Sequence, residues 1–189
     1  MKYALAAVAG LIAATPAAAA DVYTSDPAHT MAHFQTGHLG IAWIHGRFRD
    51  VDARITLDRA AKQGSIEAVI KTASLDTGHE ARDKHVRNED YLNVEKFPTI
   101  TFKSTALKFD GDRLASADGE LTIQGVSHPV TLDIPQFRCI VHPSRKTEVC
   151  GAEARTTIKR AQWGVKRGAN PPMGDEVRIT IQIEAYKQS

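Results

Sequence analysis

"EVRITIQIEA", Glu176 to Ala185, decides how this chain folds. Val177, Ile179, Ile181, Ile183 and Ala185 alternate with Glu176, Arg178, Thr180, Gln182 and Glu184, a strict period of two. Successive side chains of a strand point to opposite faces, so this pattern makes one apolar and one polar face. "VDARITLD" (Val51–Asp58) repeats it, with Val51, Ala53, Ile55 and Leu57 on one side. Between the two come "SIEAVIKTA", "TITFKSTALKF", "GELTIQGV", "VTLDIPQF" and "GAEARTTIK". Turn chemistry separates such runs at Lys62–Gly64, Asp110–Gly111, Asp118–Gly119 and Arg167–Asp175. With the two runs before Asp50, the pattern predicts about eight to ten short strands at hairpin spacing. One apolar face per strand means antiparallel sheet, and so many strands must close into a barrel or stack as a sandwich to protect their edges. Pattern alone does not separate those two. An eight-stranded barrel would hold side chains or one small ligand, in an interior rich here in Ile, Val, Leu and Phe.

One stretch breaks the alternation. "TGHE" (Thr77–Glu80) reads as a capping box, with Thr77 accepting from the Glu80 amide and the Glu80 carboxylate reaching back. Glu80–Lys84 and Asp83–Arg87 place acid before base four residues apart, and Ala81, His85 and Leu92 share a face. The reading is a short helix of about four turns inserted over residues 77–92, with Asn93 as its stop and Phe97-Pro98 returning the chain to an extended form.

The N-terminus reads as an export signal: Lys2, the apolar run "ALAAVAGLIAA" (Ala4–Ala14), then "TPAAAA" with cleavage expected after Ala20. That leaves residues 21–189 as a single domain, placed in the periplasm, or secreted where there is no outer membrane. The apolar run stops at Thr15-Pro16, short of a membrane span, and no later stretch suffices, so no transmembrane anchor is expected. Lys and Arg (24) nearly balance Asp and Glu (22) and are interspersed, which argues against nucleic acid as a partner. Cys139 and Cys150, an even count in an exported chain, read as one disulfide.

Reactive constellations are scarce. There is no G-x-S-x-G elbow, no H-E-x-x-H and no C-x-x-C-H. The sequence therefore assigns no catalytic residue, no metal ligand and no cofactor. A metal-dependent protein is the runner-up, because His29, His33, His38 and His45 fall close together. On one strand His29 and His33 would stand about 13 Å apart, too far to share an ion, but a turn at Gly40 could bring His38 to His45. What remains is binding, since an apolar barrel interior suits a long greasy molecule. Trp43, Trp163 and Met173 lie in or beside Gly/Pro-rich loops where barrel ends and lids form.

Four blocks in order, "DPAHTMAHFQTGHLGIAWIHGRF", "ASLDTGHEARDKHVRNEDYLNVEKFPTITFKS", "GELTIQGVSHPVTLDI" and "RTTIKRAQWGVKRG", resemble the YceI-like family of exported, lipocalin-shaped proteins over about residues 22–187. The resemblance implies an all-β, extended antiparallel lipocalin-like barrel of about eight strands. It also implies a pore holding an isoprenoid-type or other amphiphilic chain, without catalysis or metal. His29, Phe34, His38, Gly46, Phe48, Asp83, His85, Pro98, Phe102, Gly119, Gly125 and Arg160 fall on family-type positions, whereas His33 and His45 look like local additions.

The expected function is a carrier for a polyisoprenoid, isoprenoid quinone or fatty-chain lipid. Its apolar pore would be lined by Phe34, Ile55, Ile70, Phe102, Leu121, Ile123, Leu132, Ile179 and Ile181, with His38, Arg160 and Trp163 at the head-group end. A third reading is a stress-response interaction protein whose barrel is plugged by its own side chains. Oligomeric state stays open, a dimer included.

Overall fold

The computed structural model describes residues 20–189, so the expected export signal lies outside the described residues apart from Ala20. Eleven strands form one antiparallel sheet: β1 (Asp21–Ser25), β2 (Met31–His38), β3 (Ala42–Phe48), β4 (Val51–Asp58), β5 (Gln63–Lys71), β6 (Leu75–Asp76), β7 (Thr99–Asp110), β8 (Arg113–Ile123), β9 (Val126–Val141), β10 (Glu148–Lys159) and β11 (Glu176–Lys187). One helix, α1 (Glu80–Arg87), is inserted between β6 and β7.

The sheet closes on itself because β11 pairs with β10 on one flank and with both β1 and β2 on the other. β1 and β2 are two halves of one bent strand, as are β3 with β4 and β5 with β6, so the wall is a closed eight-stranded barrel. The β1–β2 break is stitched to β11 by side-chain chemistry. The fully buried Thr30 hydroxyl donates to the Glu184 carbonyl at 3.3 Å and accepts from the Glu184 amide at 3.4 Å. The Glu184 carbonyl also accepts from the Asp26 amide at 2.7 Å, so the distinct service of Thr30 is to give the Glu184 amide an acceptor.

The predicted alternation places the core. Leu57, Ile100, Phe102, Leu114, Leu121, Ile123, Leu132, Ile134 and Ile158 form one buried cluster inside the wall. Two aromatic rings need a missing side chain opposite them: a Cβ at Gly46 would overlap the Phe34 ring, and one at Gly119 would lie 2.6 Å from the Phe102 ring. Cys139 and Cys150 stand opposite each other in the β9–β10 ladder and are joined as a disulfide with S–S 2.00 Å.

Several local expectations are corrected. Asp118–Gly119 is no turn but the middle of β8, where Asp118 accepts from Thr131 at 2.7 Å and pairs with Lys108 at 2.7 Å. The turn comes later, inside "GELTIQGV", at Gln124–Gly125, both with positive φ (52° and 74°) as a two-residue hairpin requires. As the run "VTLDIPQF" implies, Pro135 lies within β9, where the β9–β10 register shifts and no ladder bond is asked of it. The helix is two turns long, not four, and the capping box does not form. His79 is the N-cap, its Nδ1 accepting from the Arg82 amide at 3.3 Å. Thr77 instead gives its amide (2.9 Å) and hydroxyl (2.6 Å) to the buried Asp83 carboxylate. Asp83 is thereby spent on the loop before the helix, and Arg87 donates to the Leu75 carbonyl, so the expected Asp83–Arg87 pair is replaced by one anchor to that loop and one to the barrel.

Candidate functional site: a cavity along the barrel axis

The inward faces enclose a cavity of about 710 Å³. That is within the range of pockets that hold drug-sized ligands. Along β11 it reaches from Val177 to Ala185. At about 3.3 Å per residue and the usual tilt of barrel strands, its depth is roughly 20 Å. Phe34, Ile55, Ile70, Phe102, Leu121, Ile123, Leu132, Ile179 and Ile181, the nine positions expected to face inward, all line it. The middle of the wall carries almost nothing but hydrocarbon.

The two ends differ. At one, Tyr23, Leu57 and Leu114 close the barrel at 1%, 3% and 3% exposure. The Tyr23 hydroxyl donates to Glu148, which also accepts from Arg59 at 2.9 Å. Burial pushes the Tyr23 hydroxyl well above its usual range, and the Glu148 carboxylate adds to this, so the phenol remains a proton donor. Burial alone would raise Glu148, but bonds from Tyr23 and Arg59 outweigh it and hold the carboxyl below its ordinary value. This end is sealed by a satisfied ionic cluster.

At the other end the cavity reaches solvent, since Ala81 and His85 both line it and are exposed. This mouth is framed by α1, the β2–β3 turn, and the connection between β10 and β11. Its polar lining includes Thr36, His38, Thr77, Arg82, His85, Tyr91 and Arg160. Arg82 is fixed by Thr77, Nε to the hydroxyl at 2.8 Å and a terminal nitrogen to the carbonyl at 2.7 Å. Arg160 gives one terminal nitrogen to the Gly168 and Gly174 carbonyls, pinning the β10–β11 connection, and its guanidinium lies 5.9 Å from the Tyr91 ring centre. The Arg160 Nε and the Thr36 hydroxyl are buried without a hydrogen-bond partner among the described residues. Two unspent polar groups therefore sit at the mouth of an otherwise greasy tube.

Of the three expected head-group residues, His38 and Arg160 line this mouth and Trp163 does not. Trp163 is 2% exposed and donates its indole N–H to the Leu121 carbonyl at 2.9 Å, so it belongs to the wall. Met173 lines the mouth, while Trp43 lies outside with the Arg178 guanidinium 4.1 Å over its ring. Thr36, Arg82 and Tyr91 were not singled out by sequence. Thr36 was nevertheless legible, being two residues from both Phe34 and His38 on the inward face.

The four clustered histidines do not converge. His38 faces Ala42 across the β2–β3 ladder and His45 faces Gln35, so the turn at Gly40 does not join them. His33, opposite Arg47, stands diagonally from His45, a spacing of about 7–8 Å. Among the described residues, His29 alone of the four belongs to a set of three potential ligands, with Asp26 and Glu184. There it serves an ion pair, Nδ1 to Asp26 Oδ2 at 2.7 Å. The Asp26 hydrogen bond, helped by the Glu184 charge, raises the His29 pKa, and the same bond lowers that of Asp26.

A closed antiparallel barrel with a deep apolar cavity, sealed at one end and polar at the other, is a cavity-bearing barrel of the lipocalin-like class. The YceI-like domain description matches residues 23–185, and the chain belongs to that family. It is 35% identical to a UPF0312 protein of Azotobacter vinelandii in an alignment of 193 positions that covers the full length of both chains. Its fold is similar to the crystal structure of BcnA of Burkholderia cenocepacia, with TM-score 0.71 and 23% identity over 85% of this chain and 98% of that one. It is also similar to a polyisoprenoid binding domain from Saccharophagus degradans implicated in plant cell wall breakdown, with TM-score 0.64 and 13% identity over 88% of this chain and 98% of that one.

Proposed function

We infer that this protein binds and carries an amphiphile with one long apolar chain, of the polyisoprenoid, isoprenoid-quinone or fatty-chain kind. The observation that carries the reading is the polarity of the cavity: hydrocarbon along its depth, with the uncommitted donors Arg160 Nε and Thr36 Oγ at its mouth. Each buried chain methylene contributes about 0.8 kcal/mol, so affinity comes from length, while the mouth selects a head group that accepts hydrogen bonds. His38 and Arg160 are assigned to that head group. The polyisoprenoid-binding neighbour has the same fold and supports this ligand class. The protein acts by holding its ligand and not by transforming it. It works in an exported compartment, a reading supported by the N-terminal pattern and by the Cys139–Cys150 bridge.

Ala154 is a small residue lining the cavity, opposite Ile181. Ala154→Trp fills the tube without touching the mouth. Titration with a fluorescent polyene fatty acid should show saturable binding by the native chain and at least roughly tenfold weaker binding by the variant, with its circular dichroism kept. Absence of binding by the native chain, or equal binding by the folded variant, would refute the carrier reading.

A further inference from the structure

The turn between β2 and β3 carries apolar side chains outward, beyond the barrel end. Leu39, Ile41 and Trp43 are 48%, 84% and 42% exposed. Pro171 and Pro172 are exposed beside them, and the Pro172 carbonyl packs toward Gly40. This patch is continuous with the cavity, because His38 and Met173, adjacent in the chain to its two parts, line the mouth. Apolar groups are also exposed at Val126, Ile140 and Val141, but those of the β2–β3 turn adjoin the cavity mouth, where keeping them in water is costly and calls for an occupant.

The surrounding charge says which occupant fits. Residues 159–178 contain five Lys or Arg and two acids. Lys159, Lys166, Arg167 and Arg178 are exposed; Arg167 pairs with Asp90 and Arg178 with Glu176, which leaves Lys159 and Lys166 without a carboxylate partner among the described residues. Arg178 caps the Trp43 ring, an amphipathic pairing suited to the boundary between headgroups and hydrocarbon. A convex tip of three side chains falls far short of the roughly 800 Å² that each partner buries in a stable protein interface. A few apolar side chains beside a net basic segment do suffice for shallow insertion into a bilayer with negative headgroups.

We propose that the β2–β3 turn docks the barrel mouth onto a lipid bilayer bearing anionic headgroups, with Leu39 and Ile41 inserted and Trp43 at headgroup level. This deepens the carrier reading and rests on it: with the mouth against the bilayer, a long chain enters or leaves the cavity without crossing water. The docking step is tested by flotation with vesicles of equimolar phosphatidylcholine and phosphatidylglycerol, and of phosphatidylcholine alone. The native chain should float with the mixed vesicles, less with the neutral ones and less at high salt. The double variant Leu39→Asp, Ile41→Asp should partition roughly tenfold less while binding the fluorescent polyene fatty acid like the native chain. A native chain that stays out of the mixed vesicles overturns the proposal, as does a variant that floats equally. Self-association in sedimentation velocity that depends on Ile41, with no flotation, also overturns it by making the occupant a second copy. The fatty-acid titration is read separately, so a failure of the carrier reading is not confused with a failure of docking.

Discussion

Gly46 shows how a single missing side chain shapes the cavity wall. The Phe34 ring occupies the space its Cβ would take, and the two residues face each other across β2 and β3. Gly46→Ala should cost about 1–3 kcal/mol by overpacking, read as a lower denaturant midpoint. Unchanged stability would show that the ring moves freely. At His29 the effect depends on pH. Its pKa is raised by the Asp26 bond and the Glu184 charge, so its contribution is complete below the unfolded value near 6.5 and fades as pH rises through the higher folded value. The Asp26 pKa is lowered, so that half of the pair fades only in acid, as pH falls from about 3.8 toward the folded value. The stability gap between the native chain and His29→Gln should therefore narrow from pH 6 to pH 9 in thermal melts. A gap that stays constant would mean that the ion pair contributes nothing. Inward positions were legible residue by residue, because period two names them. The role of Trp163 was not, since proximity to Gly164 in sequence cannot show that its indole bonds to Leu121.

Among elements, α1 was the least well read. Its charge pattern was real, yet tertiary anchors outcompeted it: Asp83 turned to Thr77 and Arg87 to Leu75, and the helix stopped after two turns. Local pairs four apart contribute only about 0.2–0.5 kcal/mol, so a buried carboxylate with two donors prevails. Asp83→Ala would leave the Thr77 amide and hydroxyl without their acceptor. It should destabilise the fold by about 2–3 kcal/mol and raise amide exchange across residues 77–92. A variant with native exchange in that segment would show that Asp83 does not anchor the mouth. The strands were read far better, because alternation survives whatever the neighbours are. Their joints were read unevenly: Asp110–Gly111 does turn β7 into β8, whereas Asp118–Gly119 and Gln124–Gly125 carry similar turn chemistry and only pairing with β7 and β9 tells them apart.

For the whole molecule, barrel and sandwich were indistinguishable in the alternation, and closure depends on β11 finding both halves of the β1–β2 strand. That pairing joins the first and last strands of the described residues, information which period two does not contain. Closure is what converts an apolar face into a cavity and gives it a sealed end at Tyr23 and a polar end at Arg160. The central claim is that this cavity carries one long-chain amphiphile, and it is tested most directly by native mass spectrometry of protein purified without detergent from cells that make it. The predicted result is a mass excess of one amphiphile per chain, released and identified by solvent extraction. Protein at its bare mass after gentle handling, and still bare after incubation with long-chain lipids, would contradict it.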